Sequence, residues 1–371
     1  MHQAVPEPER PEAEREVASA VRPHREPPAA IPLRRAVLSA VAPLILALII
    51  GVGFMAAYVA ALHDPRPKDV PVGVVRGDRA AEELLAAVRT QGRQLKAVGY
   101  DDRAAADRAL NRRDVYAVLS GPSGTPTLTL TTAGAAAPLA TEVITRILTV
   151  ASQRAQVPLA VTDAVPVVAD DPRGVVPFYL ATGLVIGGYF GGIALSLTLG
   201  TVPRTPARAA MRIGGLALHA VLLSAAGVLV VGPGLDIWHR HLLSLFGAGA
   251  LLAFAAALFA AAVQSWLARL GTALIILLLV VLGNPGSGGI YPPEFLPDFF
   301  RGIHLWDIPG LGSDLIRSVI YFPPDAGRWP AIKLGIWCVA GMIVLVTASV
   351  VLGRPRPRSR AARSGGGAGA P

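Results

Sequence analysis

The stretch GNPGSGGIYPPEFLP, residues 283–297, ends a run of aliphatic side chains and opens a segment that suits neither a membrane span nor an ordinary loop. Asn284-Pro285-Gly286 reads as a helix terminator: the residue before a proline is pushed out of the α region, and glycine has no preference to stay there. From there to residue 329 the chain is too polar to cross a bilayer, yet it carries Tyr291, Phe295, Phe299, Phe300, Trp306, Tyr321, Phe322 and Trp329. Amphipathic rings collect at the membrane–water boundary. Two short helices, 294–302 and 313–321, are therefore expected at the outer face of a membrane. The uncharged run before the stretch, 270–283, would rise only about 21 Å, short of a ~30 Å hydrocarbon core. Either residues 264–268 and a snorkelling Arg269 complete that span, or Asn284 and its neighbours enter the membrane. Non-helical backbone at that depth must be buried in protein or line a wet cavity.

Working outward, the whole chain of 371 residues is 53% hydrophobic and 16% charged, with a mean hydropathy of +0.51. Several apolar runs of roughly 20 residues make it a polytopic α-helical membrane protein. The net charge of +9 would suggest nucleic acid in a soluble protein. Here the basic residues flank apolar runs, so topology and anionic lipid account for them, and no nucleic-acid partner is expected. The single Cys338 rules out an intramolecular disulfide and a thiolate cluster. Arginine far outnumbers lysine, which is confined to Lys68, Lys96 and Lys333. With abundant Ala, Gly and Pro, that usage fits a GC-rich bacterial genome.

In chain order, residues 1–35 read as a disordered cytoplasmic tail and 36–62 as a first span, a retained signal anchor because its apolar run exceeds a signal-peptide core. Residues 63–175 alternate strand and helix patterns: strands at 70–75, 95–99, 115–119, 127–131 and 164–168, and helices at 80–91, 102–111 and 135–156. That predicts an external α/β domain, long enough to enclose a modest core and fold independently. Spans follow at 178–199, 213–231 and 241–263, then the run ending at residue 283, then 331–352; 353–371 is a disordered basic tail. Arg34 and Arg35, the loop with Arg204, Arg208 and Arg212, Arg269, and the last tail with Arg354 and Arg356 all fall on one side. The positive-inside rule makes that side cytoplasmic. The expected fold class is therefore six transmembrane helices with an external α/β domain inserted between the first two. Both termini are inside, and 63–175 and 284–329 outside, a bacterial cytoplasmic membrane.

This arrangement resembles the ABC-2-type transporter permeases, in particular the phage-infection-protein-like branch with a large external domain. The resemblance covers roughly residues 36–352. It rests on Asn284-Pro285 with Ser287-Gly288-Gly289, Pro292-Pro293-Glu294, Leu296-Pro297, and Arg317 with Tyr321-Phe322. The entry to span two, Asp170-Asp171-Pro172-Arg173-Gly174 into Phe178-Tyr179 and Gly187-Gly188-Tyr189, is also similar. The Pro-rich tail before span one departs from the family's amphipathic connecting helix. The resemblance implies a permease subunit with a separate ABC ATPase partner, working as a homodimer or permease pair. It also implies that the external helices between spans five and six cap the path, and that Arg204, Arg208 and Arg212 lie on the loop touching the ATPase.

The chain itself carries no phosphate loop of the G-x-x-x-x-G-K-[ST] type, so ATP hydrolysis is expected in the partner and no enzymatic activity here. No cofactor is expected, and the histidines lack metal-site spacing. His219 is the one ionisable side chain well inside a span; it is either a functional polar site or an imidazole bonded between helices. Asn284, Pro285, Ser287, Gly288 and Gly289 either line an outer gate or simply end a helix. Ser123 in Gly121-Pro122-Ser123-Gly124 reads as a turn, and Asp101, Asp102, Asp107 and Asp114 as a solvated face. The leading functional reading is export of an amphipathic or lipid-like molecule or drug. The alternative is a non-transporting scaffold or surface receptor that binds envelope components or phage through the external domain.

Overall fold

The computed structural model describes residues 33–121 and 127–353; Ser123 and most of both expected tails, 1–35 and 353–371, lie outside the described residues, while Leu33 to Arg35 join the first helix and are not tail. The first helix, α1 (Leu33–Leu62), contains Pro43 and, after Arg34 and Arg35, carries no charged residue. Met55 and Val59 point outward from it, whereas Ala57 and Ala61 pack with Val281, Leu296 and Phe300.

A five-stranded sheet follows in the order β2-β1-β3-β4-β5. Its central strand β1 (Val70–Val75) pairs in parallel with β2 (Leu95–Tyr100) and β3 (Ala117–Ser120). β4 (Leu128–Thr132) runs antiparallel to β3 and parallel to β5 (Leu159–Asp163). The continuous apolar runs Val70-Pro71-Val72 and Ala117-Val118-Leu119 suit strands covered on both faces. Helix α2 (Arg79–Thr90) starts on Asp78, whose carboxylate accepts from the Ala81 N–H at 3.2 Å, and turns Leu84, Leu85 and Val88 inward. Helix α3 (Arg103–Asn111) starts on Asp102 in the same way, with the Ala105 N–H at 2.7 Å. Helix α4 (Pro138–Ala155) ends on Gln156 at φ 55°.

The last strand departs from the expectation of 164–168 and lies five residues earlier. Pro166 has no N–H to give a ladder, so the paired segment is Leu159–Asp163 and the Pro-bearing residues leave the sheet. The core of this α/β unit is also not self-contained. Phe295 and Phe322, from the far side of the sequence, are buried in it, with Tyr291, Tyr321 and Ala326 packed alongside.

Among the described residues, five helices are long and apolar enough to cross a membrane: Pro43–Leu62 within α1, α5 (Val176–Leu199), α6 (Pro206–Leu229, continued to Gly234), α7 (Leu242–Leu267) and α11 (Arg328–Val351). Helix α7 is the central post, in contact with α5, α6 and α11. Leu252, Leu258 and a run of alanines between them are fully buried on it, as expected of a helix surrounded by others. Glycines bring α5 onto it. A Cβ at Gly188 would lie 2.5 Å from the Ala253 carbonyl oxygen, and one at Gly192 2.6 Å from that of Ala257. Such small-residue contacts are how membrane helices gain packing.

Helix α8 (Arg269–Ile276) is shorter and corrects the reading of its end. Ala268, at φ 49° and ψ −121°, breaks the chain after α7, so residues 264–267 belong to α7 and do not lengthen α8. Instead the helix runs on through a π-helical stretch, Leu277–Leu282, into a last turn, Gly283–Gly286. The Gly283 N–H bonds the Leu278 carbonyl, five residues back. That widened turn gives room for the Pro285 ring and passes over its missing N–H, so Asn284-Pro285-Gly286 stays helical for one turn. The segment expected at the outer face then forms a 3₁₀ turn at Pro293–Phe295, α9 (Asp298–His304), α10 (Ile308–Tyr321) and a second 3₁₀ turn at Pro324–Gly327. Helix α10 starts five residues before the expected 313 because Asp307 caps it and Pro309 sits in its first turn.

Candidate functional site

A cluster of buried and half-buried ionic groups gathers where the α/β unit meets α9 and α10. Arg113, just past α3 at φ 64°, reaches α10: its Nη2 lies 2.8 Å from Asp314 Oδ1, and its Nη1 donates to the Asp314 carbonyl and to Ser318 Oγ, both at 3.0 Å. The same guanidinium lies over the Phe322 ring, 5.9 Å from its centroid. The other oxygen of Asp314 is 3.1 Å from His304 Nε2. One turn on, buried Arg317 donates to the Ala135 carbonyl at 3.0 Å and the Gly174 carbonyl at 2.9 Å, tying α10 to both ends of the α/β unit. Tyr116 donates to Glu294 Oε2 at 2.8 Å, Lys68 pairs with Asp298 at 2.7 Å, and Arg301 donates to the Lys68 carbonyl at 3.3 Å. The α/β unit is bolted to the outer helices at many points.

Within this junction, His304 Nδ1 and Asp307 Oδ1 are buried with no hydrogen-bond partner. They converge on one spot: a Cβ on Gly310 would lie 2.9 Å from the first and 2.5 Å from the second. The second oxygen of Asp307 accepts from the Gly310 N–H at 3.0 Å. Burial pushes the Asp307 carboxyl up to about 7, with His304 partly opposing it. For His304, burial alone would lower the value, but Asp314 and then Asp307 outweigh it and the net shift is upward. Burial would likewise raise Asp314, yet Arg113 first and His304 second hold it well below the usual carboxylate range. Arg317 is brought down to about 10 by burial and by Arg113, so it stays charged at neutral pH. Asp314 and Arg113 thus form a permanent pair, while the Asp307 carboxyl can exchange a proton near neutrality and His304 holds its proton more tightly than a free imidazole.

Asp307 binds its proton more tightly folded than unfolded, so its contribution is complete below the ordinary carboxylate range of about 4 and is lost progressively as pH rises to about 7; His304, also raised, adds a loss above the ordinary imidazole range. The expected result is a melting temperature in detergent that falls between pH of about 4 and about 7. Asp307→Asn should flatten that slope, because the amide keeps the cap and cannot ionise. A slope unchanged in the variant would place the titration elsewhere.

Between the α/β unit and the outer helices lies a cavity of about 620 Å³, with Tyr116, Glu294, Arg301, His304, Asp314 and Trp329 among its walls. The residues singled out in the sequence fall in three separate places. Asn284 joins three helices: its amide nitrogen donates to Tyr58 Oη on α1, and its oxygen accepts from Thr182 Oγ1 on α5 at 3.2 Å. Pro285 is buried, Ser287 Oγ donates back to the Asn284 carbonyl at 2.7 Å, and Gly288 turns at φ 71°. Gly289 lies against Phe178, which leaves no space for a Cβ. His219 Nε2 is 2.9 Å from the Gly187 carbonyl, the bonded interhelical arrangement, and Gly191 leaves the room its ring occupies.

The loop arginines divide. Arg204 and Arg208 are exposed, but Arg212 is buried and donates to the Gly200 carbonyl and, at 2.9 Å, to that of Thr201. Thr205 caps α6 by accepting from the Arg208 N–H at 3.2 Å. The Arg113–Asp314–His304–Asp307 cluster went unread in the sequence. Its one local signal was Asp307-Ile308-Pro309, an N-cap followed by proline. No protein-family model, curated protein or solved structure matches this chain, so the permease resemblance stands on its sequence motifs.

Proposed function

We propose that the chain is the membrane-spanning permease subunit of an ABC-type exporter, powered by a separate ATPase and working as a pair. Its cargo is an amphipathic, lipid-like or drug-like molecule. Parity supports six crossings. The α/β unit, entered after α1, is bolted to residues 294–318, so both lie on one side of the membrane. Helices α5, α6 and α7 then leave the chain on the opposite side, and α8 must cross for α9 and α10 to return. At roughly 25 Å it spans if Asn284 and its neighbours enter the bilayer. There the half-buried Asn284 has its amide satisfied by Tyr58 and Thr182, as a polar group at that depth requires.

The observation that carries the coupling is the α5–α6 turn. Arg212 staples it to the end of α5, leaving Arg204 and Arg208 exposed on a stiff corner, while α5 and α7 pack against α10 of the outer cap. A push on that corner reaches the cap through packed helices. The scaffold or receptor reading is favoured instead by a cleft of about 450 Å³ in the α/β unit, lined by Thr141, Glu142, Arg146 and Asp163. Replacing Arg204 and Arg208 with Gln leaves Arg212 and the remaining basic loops to orient the chain. The variant is expected to reach the membrane at normal levels but to lose ATPase association and transport. Normal transport would reject coupling through this loop.

A further inference from the structure

We propose that the outer cavity binds a zwitterionic headgroup, its ammonium on Glu294 and its phosphate on Arg301. Of the ionic side chains in its walls, Arg112 is paired with Asp114, Arg113 and His304 with Asp314, and Asp298 with Lys68. Arg301 and Glu294 are left, and among the described residues neither has an oppositely charged group within ion-pair distance. They do not neutralise each other because both are held in place from the α/β unit. Tyr116 and the Lys68 N–H, at 3.0 Å from the Glu294 carbonyl, fix Glu294, and the Lys68 carbonyl takes one arm of Arg301.

The Tyr116 phenol is kept protonated by burial and by Glu294, so it remains a donor, and the carboxylate keeps its second oxygen for another cation. The cavity therefore offers one unmatched negative group and one unmatched positive group. A ligand carrying both charges satisfies the two together, whereas a simple anion or cation leaves one wanting. The remaining wall is apolar: exposed Trp329 and Leu305, with Pro292, Pro293 and Pro330. At about 620 Å³ the space falls in the range of small-ligand sites, roughly 300–1,000 Å³. A phosphate–ammonium head with a hydrocarbon tail has this distribution. Its source is either a phospholipid of the outer leaflet, which rests on the orientation proposed above, or a free zwitterion in the surrounding medium.

The test uses the purified full-length chain, delipidated in a sugar detergent, with native mass spectrometry as the readout. The probes are phosphatidylethanolamine, phosphatidylglycerol of the same chains, and free phosphoethanolamine as competitor. Phosphatidylethanolamine is expected to bind about tenfold more tightly than phosphatidylglycerol, a difference of about 1.4 kcal/mol. Glu294→Gln still accepts from Tyr116 but loses the charge, and should bring the two lipids level. Arg301→Gln, at a half-exposed position, should weaken both and serves if the first variant misfolds. Effective competition by phosphoethanolamine alone supports the site with a soluble ligand; weak competition supports the lipid. Equal binding of the two lipids to the native chain, or a preference that survives Glu294→Gln, overturns the proposal. Binding is read without any ATPase, so failure of the exporter reading leaves this result unaffected.

Discussion

Arg113→Met is expected to destabilise the protein by about 3 kcal/mol, read as a fall in melting temperature of the purified chain in detergent. The substitution keeps most of the side chain's volume and its packing on Phe322 but removes the guanidinium. Asp314 would then be left beside His304 alone, and Ser318 Oγ and the Asp314 carbonyl would lose their donor. Stranding one partner of a buried pair costs about 3–5 kcal/mol. The lower end applies because the Asp314 side chain keeps 29% of its exposure. Adding Asp314→Asn to Arg113→Met should recover at least half of the loss, since the stranded charge and not the missing attraction dominates it. A double variant as unstable as the single one would mean that packing, not charge, holds the junction.

The second large effect concerns the boundaries of the α/β unit. Residues 63–175 expressed alone are expected to give a spectrum without a cooperative melt. Their core lacks Phe295 and Phe322, which occupy it in the full chain. Losing a buried Phe costs about 3–5 kcal/mol each, and small domains hold only about 5–15 kcal/mol in total. Within the full chain, Phe295→Ala should lower the melting temperature more than Phe299→Ala, whose ring is exposed. A sharp melt of the isolated segment with mixed helix and strand signal would show that the core closes without the outer aromatic residues.

Much of the α/β unit was legible because its signals are local. The run Val70 to Val75 needs no partner information to read as a buried strand, and Asp78 and Asp102 mark helix starts by their own hydrogen bonds. The aromatic segment after residue 290 was correctly marked as neither span nor loop, but its rings serve two purposes. Phe299, Trp306 and Trp329 face outward as boundary residues do, whereas Phe295 and Phe322 leave for another core. Nothing in the segment's pattern separates the two sets. The terminator reading of Asn284-Pro285-Gly286 assumed α-helical bonding upstream; the π-helical turn before it is set by packing, which sequence does not state.

The candidate site was the least legible part. Arg113 and Asp314 are separated by most of the membrane domain, and Arg113 sits in a row of arginines that look alike in sequence. Only the left-handed turn at Arg113 aims it at α10 while its neighbour Arg112 stays exposed and pairs with Asp114. The loop arginines illustrate the same limit. Three were read as one group, and the structure gives Arg212 a different task by burying it against the end of α5.

The account depends most on which side of the membrane each part occupies. The measurement is labelling of single cysteines in intact cells with a membrane-impermeant maleimide, in a Cys338→Ser background. The positions are Thr90→Cys in the α/β unit, Asp325→Cys beside the outer helices, and Ala207→Cys on the α5–α6 corner, all exposed. The account predicts that Thr90→Cys and Asp325→Cys label from outside and that Ala207→Cys labels only after the membrane is opened. Labelling of Ala207→Cys in intact cells, or opposite behaviour of Thr90→Cys and Asp325→Cys, would contradict it.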